Sequence, residues 1–438
     1  MEIFKASTYN SKQAYWQSML SIAFLAMLII GYLGSRALLS IATGLIFINA
    51  FWPANFALIK KRFTSNKFGI FSIIYFLICL ISYFWSENKS TWLSEVLLQL
   101  PFLMLPIGFC SIPLEHKKFR KVLFLFAAIA TVIAVLISLG IYFKDYETYI
   151  HGYAYSKPFP STTSGDHIRY SLWLAFLVLL GAYHLYFEAD FQNNKKLKTF
   201  TWLSILLFTI YIHLLAAKTG LLGLYIILIA LTYYFYSKKY KSIFAKTIPL
   251  LGFIMIFGIM YKAVPTFNLK VNYVIYELNI LKNNGELNYN LSDHGRLISL
   301  KVGTKMLQEA PILGTGIGDV LDVMKKGYEQ SYPDVPEALR FMPFNQYLLN
   351  FLAYGWLLGL PLIFLSTSSF FDKQKRGQFF VNLGTVVFIL IFMFEGSLQR
   401  QTGIFQYLFM SMWLLSFKWQ DNLSIKNSNL IFKSSEKG

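Results

Sequence analysis

The sequence predicts an all-α, polytopic integral membrane protein with about 12 transmembrane helices and one large extracytoplasmic loop containing amphipathic helices. Three observations support this prediction. The 438 residues have a mean hydropathy of +0.48, and 55% of them are hydrophobic while only 14% are charged. The apolar residues form long runs, and about 20 apolar residues suffice to cross a bilayer as a helix. The basic residues collect on alternate connectors, as expected for cytoplasmic loops.

Twelve apolar segments have a suitable length and composition for spanning helices. They are 18–34, 37–59, 68–85, 91–112, 122–143, 170–187, 200–216, 219–237, 247–263, 345–370, 379–394 and 404–419. The chain is thereby divided into spans one to nine within 1–263, a large loop at 264–344, spans ten to twelve within 345–420, and a cytoplasmic tail at 421–438. The first apolar run has no convincing small-residue cleavage site, so we predict an uncleaved span rather than a signal peptide.

The net charge of +18 could indicate a nucleic-acid-binding protein, but the positions of the basic residues argue against this. With a cytoplasmic N-terminus, 24 of the 40 lysines and arginines fall on inside segments, 7 on short outside loops and 9 on or beside the large loop. This is the positive-inside pattern. It predicts that both termini are cytoplasmic and that the large loop lies outside, and it removes the reason to expect a nucleic-acid partner.

Neither a disulfide framework nor a metal site is expected, because Cys79 and Cys110 both lie in apolar runs. The outer loops also lack an Asp-x-Asp pair, so we predict metal-independent chemistry and no cofactor. An enzyme on the outer face has neither ATP nor nucleotide sugars at hand. It must therefore use a donor that is already activated and delivered through the membrane.

Two connectors carry cations near the outer surface. In the segment Ser161–Tyr170, which leads into the sixth span, His167 and Arg169 lie at the interface. Arg169 either extends toward lipid phosphates or binds a substrate phosphate, since a guanidinium can contact two phosphate oxygens at once. Lys218, in the tight turn Ala216–Gly220, is either solvated or a second cation for a pyrophosphate.

The large loop contains the most informative segment. The apolar spacing of Leu291–Ala310 predicts an amphipathic helix, with Asp293 as its cap and Pro311 as its end. Arg296 lies in the first turn of this helix, where a cation is mildly unfavourable beside the positive end of the dipole. A purely structural role gives little reason for an arginine there, whereas anion binding gives one.

The remaining motifs surround the last three spans. Gly314, Gly316 and Gly318 form a backbone turn rather than a phosphate loop, because no strand precedes them and no Gly-Lys-Ser/Thr follows. Asn345 and Gln346 begin span ten directly after the Pro343 segment.

Glu395 ends span eleven, where a carboxylate is costly without a partner. Arg400, a few residues later, is its predicted partner. The pair is either a structural ion pair or part of a catalytic site.

Five motifs in this order resemble the O-antigen ligase and polymerase superfamily of bacterial envelope membrane proteins. They are Arg169 at the start of a span, Lys218-Thr219-Gly220, Gly295-Arg296 with Pro311-x-x-Gly-x-Gly-x-Gly318, Pro343-x-Asn-Gln-Tyr-Leu348, and Glu395-x-x-Leu-Gln-Arg-Gln-x-Gly403. The predicted topology, with one large loop late in the chain, is also similar to that of the family.

The resemblance implies an inner-membrane enzyme that takes a glycan from undecaprenyl diphosphate on the periplasmic face. Ligases of this superfamily pass the glycan to a lipid A-core sugar hydroxyl, and polymerases pass it to another lipid-linked repeat. The family's loop arginines hold the diphosphate, and this role carries over to Arg169 and Arg296. Lys218 stands where the family often has arginine, so the charge is kept and the two-point contact is lost.

The chief departure from the family is Phe344, which stands where members commonly have the histidine expected to deprotonate the acceptor hydroxyl. Phenylalanine cannot accept a proton, so another group must take this role if the protein is active. His167, His294 and Glu395 lie on the predicted outer side and can exchange protons. We favour His294 because it lies two residues from Arg296.

The leading hypothesis is therefore a metal-independent, inverting glycosyltransferase of the O-antigen ligase type. Arg169 and Arg296 would hold the diphosphate with help from Lys218, and Arg400, Asn345 and Gln346 would contact the diphosphate or glycan. A surface-polysaccharide polymerase remains an alternative because it uses the same donor. A lipid-linked solute transporter or flippase and a non-catalytic member of an assembly complex also remain open. Membrane lipids are partners in every case.

Overall fold

A computed structural model describes residues 11–53, 56–114, 117–154, 159–163, 166–240, 243–285, 287–310, 312–371 and 377–417. Within these ranges the chain forms α-helices, short 3₁₀ turns and no strand, which confirms the all-helical prediction. The helices are α1 (Lys12–Gly34), α2 (Arg36–Ala50), α3 (Phe56–Thr64), α4 (Lys67–Ile81), α5 (Lys89–Gln99), α6 (Pro101–Phe109), α7 (Lys117–Lys144), α8 (Tyr146–Ala154), α9 (His167–Phe187), α10 (Ala189–Asn193), α11 (Lys195–Leu215), α12 (Lys218–Lys239), α13 (Ile243–Ala263), α14 (Pro265–Asn284), α15 (Ser292–Glu309), α16 (Val320–Ser331), α17 (Gln346–Leu358), α18 (Leu360–Thr367), α19 (Gln378–Phe394) and α20 (Gln401–Leu415).

Seven helical segments of the described chain are long and apolar enough to cross a membrane, which supports a membrane protein. They are 12–34, 67–84, 89–109, 117–144, 167–187, 195–215 and 218–237. Two sharply bent helix pairs raise the number to 9 if each pair counts as one span. The predicted number of about twelve is therefore not confirmed, and the predicted tail 421–438 lies outside the described residues.

The difference arises partly where a predicted span is interrupted. The predicted second span, 37–59, contains α2, which has only 15 residues and ends at Ala50. A helix of that length rises about 22 Å, which is short of the bilayer's apolar thickness of about 30 Å. The predicted eleventh span corresponds to α19, which has 17 residues and is also short. Summed hydropathy does not detect these early ends.

The two bent pairs lie on either side of the predicted large loop. The axes of α13 and α14 differ by 104° at Val264, and those of α17 and α18 differ by 109°. Proline disfavours a helical residue before it and suits the first helical position after a break, and Pro265 begins α14 in this way. The predicted loop therefore begins with α14, a helix whose axis turns sharply away from that of α13.

The glycine-rich segment before α16 fits into a kink within α17. Gly355 has a φ of 70° and a ψ of −175°, so the helix is locally broken and nearby carbonyls lose their helical partners. The amide of Thr315 donates to the carbonyl of Leu352 and the amide of Gly316 donates to that of Ala353, both at 2.9 Å. The predicted backbone turn is thereby confirmed, and it anchors the loop to the helical bundle.

A second anchor lies directly after these glycines. The carboxylate of Asp319 accepts hydrogen bonds from the amides of Glu87 and Asn88, at 2.7 and 2.8 Å. Those amides precede α5, so the carboxylate joins the loop to the connector between α4 and α5. The glycine-rich segment and Asp319 together fix the loop at two separate places on the bundle.

The helix α9 is the centre of the bundle. In its apolar part 78% of the residues are buried, against 50% or less in the other six candidate spans. It packs against α7, α11, α12, α19 and α20. His167 and Arg169 lie at the N-terminal end of α9. Both residues are therefore positioned by the most buried of the seven candidate spans.

Candidate functional site

Two neighbouring cavities lie at the N-terminal end of α9. The first, called here the lysine cavity, has a volume of about 170 Å³ and is lined by residues that include Tyr153, Lys218, Lys270, Ser292, Asp293 and Arg296. The second, called here the aromatic cavity, has a volume of about 290 Å³ and is lined by residues that include Phe341, Phe344, Asp166, Glu395, Gln399 and Arg400. His167 and Ile168 line both cavities. The two cavities are therefore the two sides of one site.

Glu395 joins the two arginines that the sequence singled out. Its carboxylate lies 3.5 Å from a terminal nitrogen of Arg169 and 3.3 Å from one of Arg296, and the residue is 4% exposed. The predicted partner, Arg400, was wrong, since the two partners come from α9 and α15 instead. Arg169 and Arg296 are 127 residues apart in the chain (296 − 169), and one buried carboxylate brings them together.

Arg169 is held from several directions. Its guanidinium lies 3.3 Å from the carboxylate of Asp166 and donates to the carbonyl of Gly396, also at 3.3 Å. Its own carbonyl accepts a hydrogen bond from the hydroxyl of Tyr32 at 2.9 Å. Asp166 in turn accepts from the hydroxyl of Thr402. The side chain of Arg169 is only 7% exposed. Arg169 therefore has a structural role in the site, holding the neighbouring groups in position.

Arg296 is the more accessible of the two arginines, with 27% of its side chain exposed. Its guanidinium carbon lies 4.3 Å from the centre of the Phe344 ring, which is within the range of a cation–π contact. Phe341 packs edge-on against Phe344, with 5.7 Å between the ring centres. Phe344 therefore supports the arginine directly.

Lys218 is positioned by a close approach between two helices. A side-chain carbon at position 220 would overlap Ser171. Because Gly220 has no side chain, the start of α12 can lie directly against α9. The Lys218 ammonium pairs with the carboxylate of Asp293 and lies 3.8 Å from that of Glu277. The Lys-Thr-Gly motif thus places its cation in the lysine cavity.

Asp293 has a different role from the predicted one. The helix α15 begins at Ser292, and its cap residue Leu291 makes no side-chain hydrogen bond, so the prediction of Asp293 as cap was wrong. Burial alone would raise the pKa of Asp293, but the hydrogen bond and charge of Lys218 outweigh burial and lower it. Asp293 is therefore a carboxylate at neutral pH. The predicted helix end, Pro311, lies outside the described residues.

The sequence analysis missed Lys270, which also lines the lysine cavity. Among the described residues no carboxylate lies within ion-pair distance of its ammonium group. Lys270 and Glu277 are seven residues apart, a spacing that puts both on one face of α14. That spacing was visible in the sequence, but treating 264–290 as part of a loop concealed it.

His294 is buried and both of its ring nitrogens have backbone partners. Nδ1 accepts from the amide of Asn288 at 3.0 Å, which leaves Nε2 to donate to the carbonyl of Glu277 at 3.1 Å. The imidazole therefore holds the turn before α15 against α14. Its neighbour in sequence, Asp293, lines the lysine cavity, but His294 itself does not.

Asn345 and Gln346 contact backbone groups. The Asn345 side chain caps α17 by accepting from the amide of Leu348 at 2.9 Å, and that of Gln346 accepts from the amide of Leu398 at 2.8 Å. Gln346 thereby connects α17 to the segment that carries Glu395. Neither residue is among those lining the two cavities.

The fold and site define a helical membrane protein with a cation-lined pocket at the ends of its helices. Residues 203–363 match the family described as O-antigen ligase (Wzy_C), which supports the resemblance to the O-antigen ligase superfamily. No curated protein matches the chain. The family implies a membrane glycosyltransferase-like ligase or polymerase that acts on lipid-linked glycans. The matched region includes Lys218, Arg296 and Phe344, while Arg169 and Glu395 lie outside it.

Proposed function

We propose that the protein is an inverting, metal-independent glycosyltransferase that moves a glycan from undecaprenyl diphosphate to a sugar hydroxyl of lipid A-core on the periplasmic face. One observation carries this proposal. Lys218 on α12, Lys270 on α14 and Arg296 on α15 line a single small cavity. Asp293 lines the same cavity and pairs with Lys218, so the three cations from three helices leave an excess of positive charge there. That excess fits a compact polyanion such as the diphosphate of a lipid-linked donor.

The cations would act on the leaving group. When the acceptor oxygen attacks the anomeric carbon, the bond from that carbon to the diphosphate oxygen breaks and its electron pair leaves with the diphosphate. Fixed cations beside the departing oxygen stabilise this charge most strongly at the transition state. Among the described residues Lys270 forms no ion pair, although the charges of Asp293 and Glu277 act on it. Its ammonium group is therefore available to a phosphate oxygen in the cavity.

Arg169 acts in this proposal through Glu395. The buried carboxylate lies within 3.5 Å of Arg169 and 3.3 Å of Arg296, so Arg169 neutralises part of its charge and fixes its orientation. The exposed part of Arg296 then faces the lysine cavity. We assign Arg296 to direct contact with the diphosphate and Arg169 to the frame that orients it.

We assign the removal of the acceptor proton to His167. It lines both cavities, so a hydroxyl entering from the aromatic cavity would meet it beside the donor. Imidazole is the side chain best suited to exchange a proton near neutral pH. His294 remains a candidate from the sequence, but in the present arrangement its ring nitrogens are occupied by Asn288 and Glu277.

A surface-polysaccharide polymerase would use the same donor contacts, and its acceptor would be a second lipid-linked repeat. Deletion of the gene separates the two reactions. Loss of polymer on lipid A-core together with an accumulation of long lipid-linked chains supports the ligase. Single repeats alone indicate the polymerase.

The test of the chemistry is glycan transfer from a polyprenyl-diphosphate donor by the full-length protein in proteoliposomes. We expect Arg296→Ala to lower kcat at least about a hundredfold, as for loss of a transition-state contact, and Arg296→Lys to recover only part of it. The matched control is Arg36→Ala, since Arg36 is exposed and lines neither cavity. Transfer at the wild-type rate by Arg296→Ala would refute the assignment. EDTA should leave the rate unchanged.

A further inference from the structure

Arg400 is exposed and lines the aromatic cavity, and among the described residues its guanidinium has no charge partner. Among the described residues no side chain or carbonyl pairs with it, although Glu395 was the carboxylate expected to do so. Within the same cavity wall, the other cation, Arg169, is already neutralised by Asp166 and Glu395. Arg400 is therefore the cation of this cavity that is left to meet an anion from outside the protein.

A second unsatisfied donor lies beside it. The side-chain nitrogen Nε2 of Gln399 is buried and has no hydrogen-bond partner among the described residues. A buried amide nitrogen without an acceptor is costly, and an oxygen of a bound molecule would satisfy it. Gln399 also lines the aromatic cavity. Gln399, with its unsatisfied amide, and Arg400 therefore line the same cavity.

Another part of the cavity lining is apolar. It is formed by Phe341, Met342, Pro343 and Phe344, with the two phenylalanine rings 5.7 Å apart. An apolar wall facing a few fixed polar groups is the usual composition of a small-molecule pocket. At about 290 Å³ the cavity lies at the lower end of the range of such pockets, about 300–1,000 Å³. That volume favours a single sugar ring over an extended oligosaccharide.

We propose that the aromatic cavity is the acceptor subsite and that Arg400 selects an acceptor sugar carrying an anionic group, a carboxylate or a phosphate. Gln399 donates to a hydroxyl or ring oxygen of the same sugar, and the Phe341–Phe344 wall covers its apolar face. This proposal rests on the proposed function, because the subsite is defined by its position next to the donor cavity. It adds a substrate class, since a neutral sugar would leave Arg400 unpaired.

The experiment compares three synthetic lipid acceptors that differ at one position of the terminal sugar. One carries a hexose, one the corresponding hexuronic acid and one the hexose phosphate. For the full-length protein in proteoliposomes we expect kcat/KM to be highest for one of the two anionic acceptors. We expect Arg400→Gln to lower that value about tenfold to a hundredfold, as for the loss of a charged hydrogen bond. Transfer to the neutral acceptor should change less than about twofold. The better of the two anionic acceptors identifies the group recognised.

Arg400→Lys should recover part of the preference, because the charge remains while the two-point contact is lost. Lys270→Gln is the matched control on the donor side and should lower transfer to all three acceptors by the same factor. Equal losses for neutral and anionic acceptors in Arg400→Gln would overturn the proposal, and so would an unchanged preference.

A binding measurement separates this proposal from the proposed function. Calorimetric titration of the detergent-solubilised protein with the soluble methyl glycosides of the same three sugars does not require transfer. Tighter binding of an anionic glycoside by the wild type, lost in Arg400→Gln, supports the subsite even if no transfer is seen. Equal binding of neutral and anionic glycosides refutes it even if transfer occurs.

Discussion

The guanidinium of Arg296 contacts both the ring of Phe344, 4.3 Å from its centre, and the carboxylate of Glu395, 3.3 Å away. The ring restricts the position of the guanidinium, and the carboxylate attracts it. The remaining edge is available to the lysine cavity. A phenylalanine at this position therefore keeps a function in the site, although it cannot transfer a proton.

The first prediction concerns this ring. Phe344→Leu removes the aromatic face but keeps a similar apolar volume, so Arg296 loses a contact of about 0.5–2 kcal/mol. We expect kcat/KM for glycan transfer to fall about threefold to thirtyfold, while Phe344→Tyr stays near the wild type. The measurement is donor-dependent transfer in proteoliposomes. Equal rates for the leucine and tyrosine variants would show that the ring face does not matter.

The second prediction concerns Glu395. Glu395→Gln leaves Arg169 and Arg296 without their shared carboxylate in a buried place, and loss of one member of a buried ion pair costs about 3–5 kcal/mol. We expect a clear drop in the thermal unfolding temperature of the detergent-solubilised protein. Glu337→Gln is the control, because its carboxylate is 77% exposed and pairs with Lys325 on the surface. Equal shifts in the two variants would contradict the central role of Glu395.

The third prediction concerns the glycine-rich anchor. Gly316 has a φ of 86°, and a side-chain carbon at that position would overlap Ser86. We expect Gly316→Ala to lower the unfolding temperature, because the loop must leave either its left-handed backbone or its contact with the α4–α5 connector. Gly34→Ala is the control, since nothing lies within 4 Å of its added carbon. The idea fails if both alanine variants unfold at the same temperature.

The fourth prediction concerns pH. Because Lys218 holds the pKa of Asp293 below its ordinary value despite burial, the contribution of Asp293 to stability is present above an unfolded-state pKa of about 3.9. It is lost only as the pH falls through the lower pKa of the folded state. The difference in unfolding temperature between wild type and Asp293→Asn should therefore be the same at pH 5 and pH 8. A difference that shrinks at pH 5 would show that the pair titrates in this range.

The sequence predicted the class of fold and the identity of the main cations, because apolar run length and charge asymmetry are local signals. It did not predict how Glu395 is paired. Arg400 is near in sequence, but the partners Arg169 and Arg296 come from helices brought together only by tertiary packing. Lys270 was missed for a related reason, since it lies on α14, a helix that begins at Pro265 within the segment that the sequence analysis assigned to a loop.

The breaks in the helices escaped prediction because hydropathy averages over a window. Gly355 and Pro265 lie within or beside apolar stretches, and a single residue with unusual backbone geometry changes the direction of the chain without changing the average. Asp293 shows the same limit in polar sequence. Its type and position suit a helix cap, but the nearby ammonium of Lys218 binds it instead.

The seating of Thr315 and Gly316 against Leu352 and Ala353 also restricts how substrates can arrive. Lifting this part of the loop would leave two carbonyls facing an apolar surrounding, a costly exposure. This middle part of the loop therefore stays in place on the bundle. In the proposed reaction the two lipid substrates would enter on the side of α14 and α15, where side chains such as Thr266 and Arg296 contact the bundle.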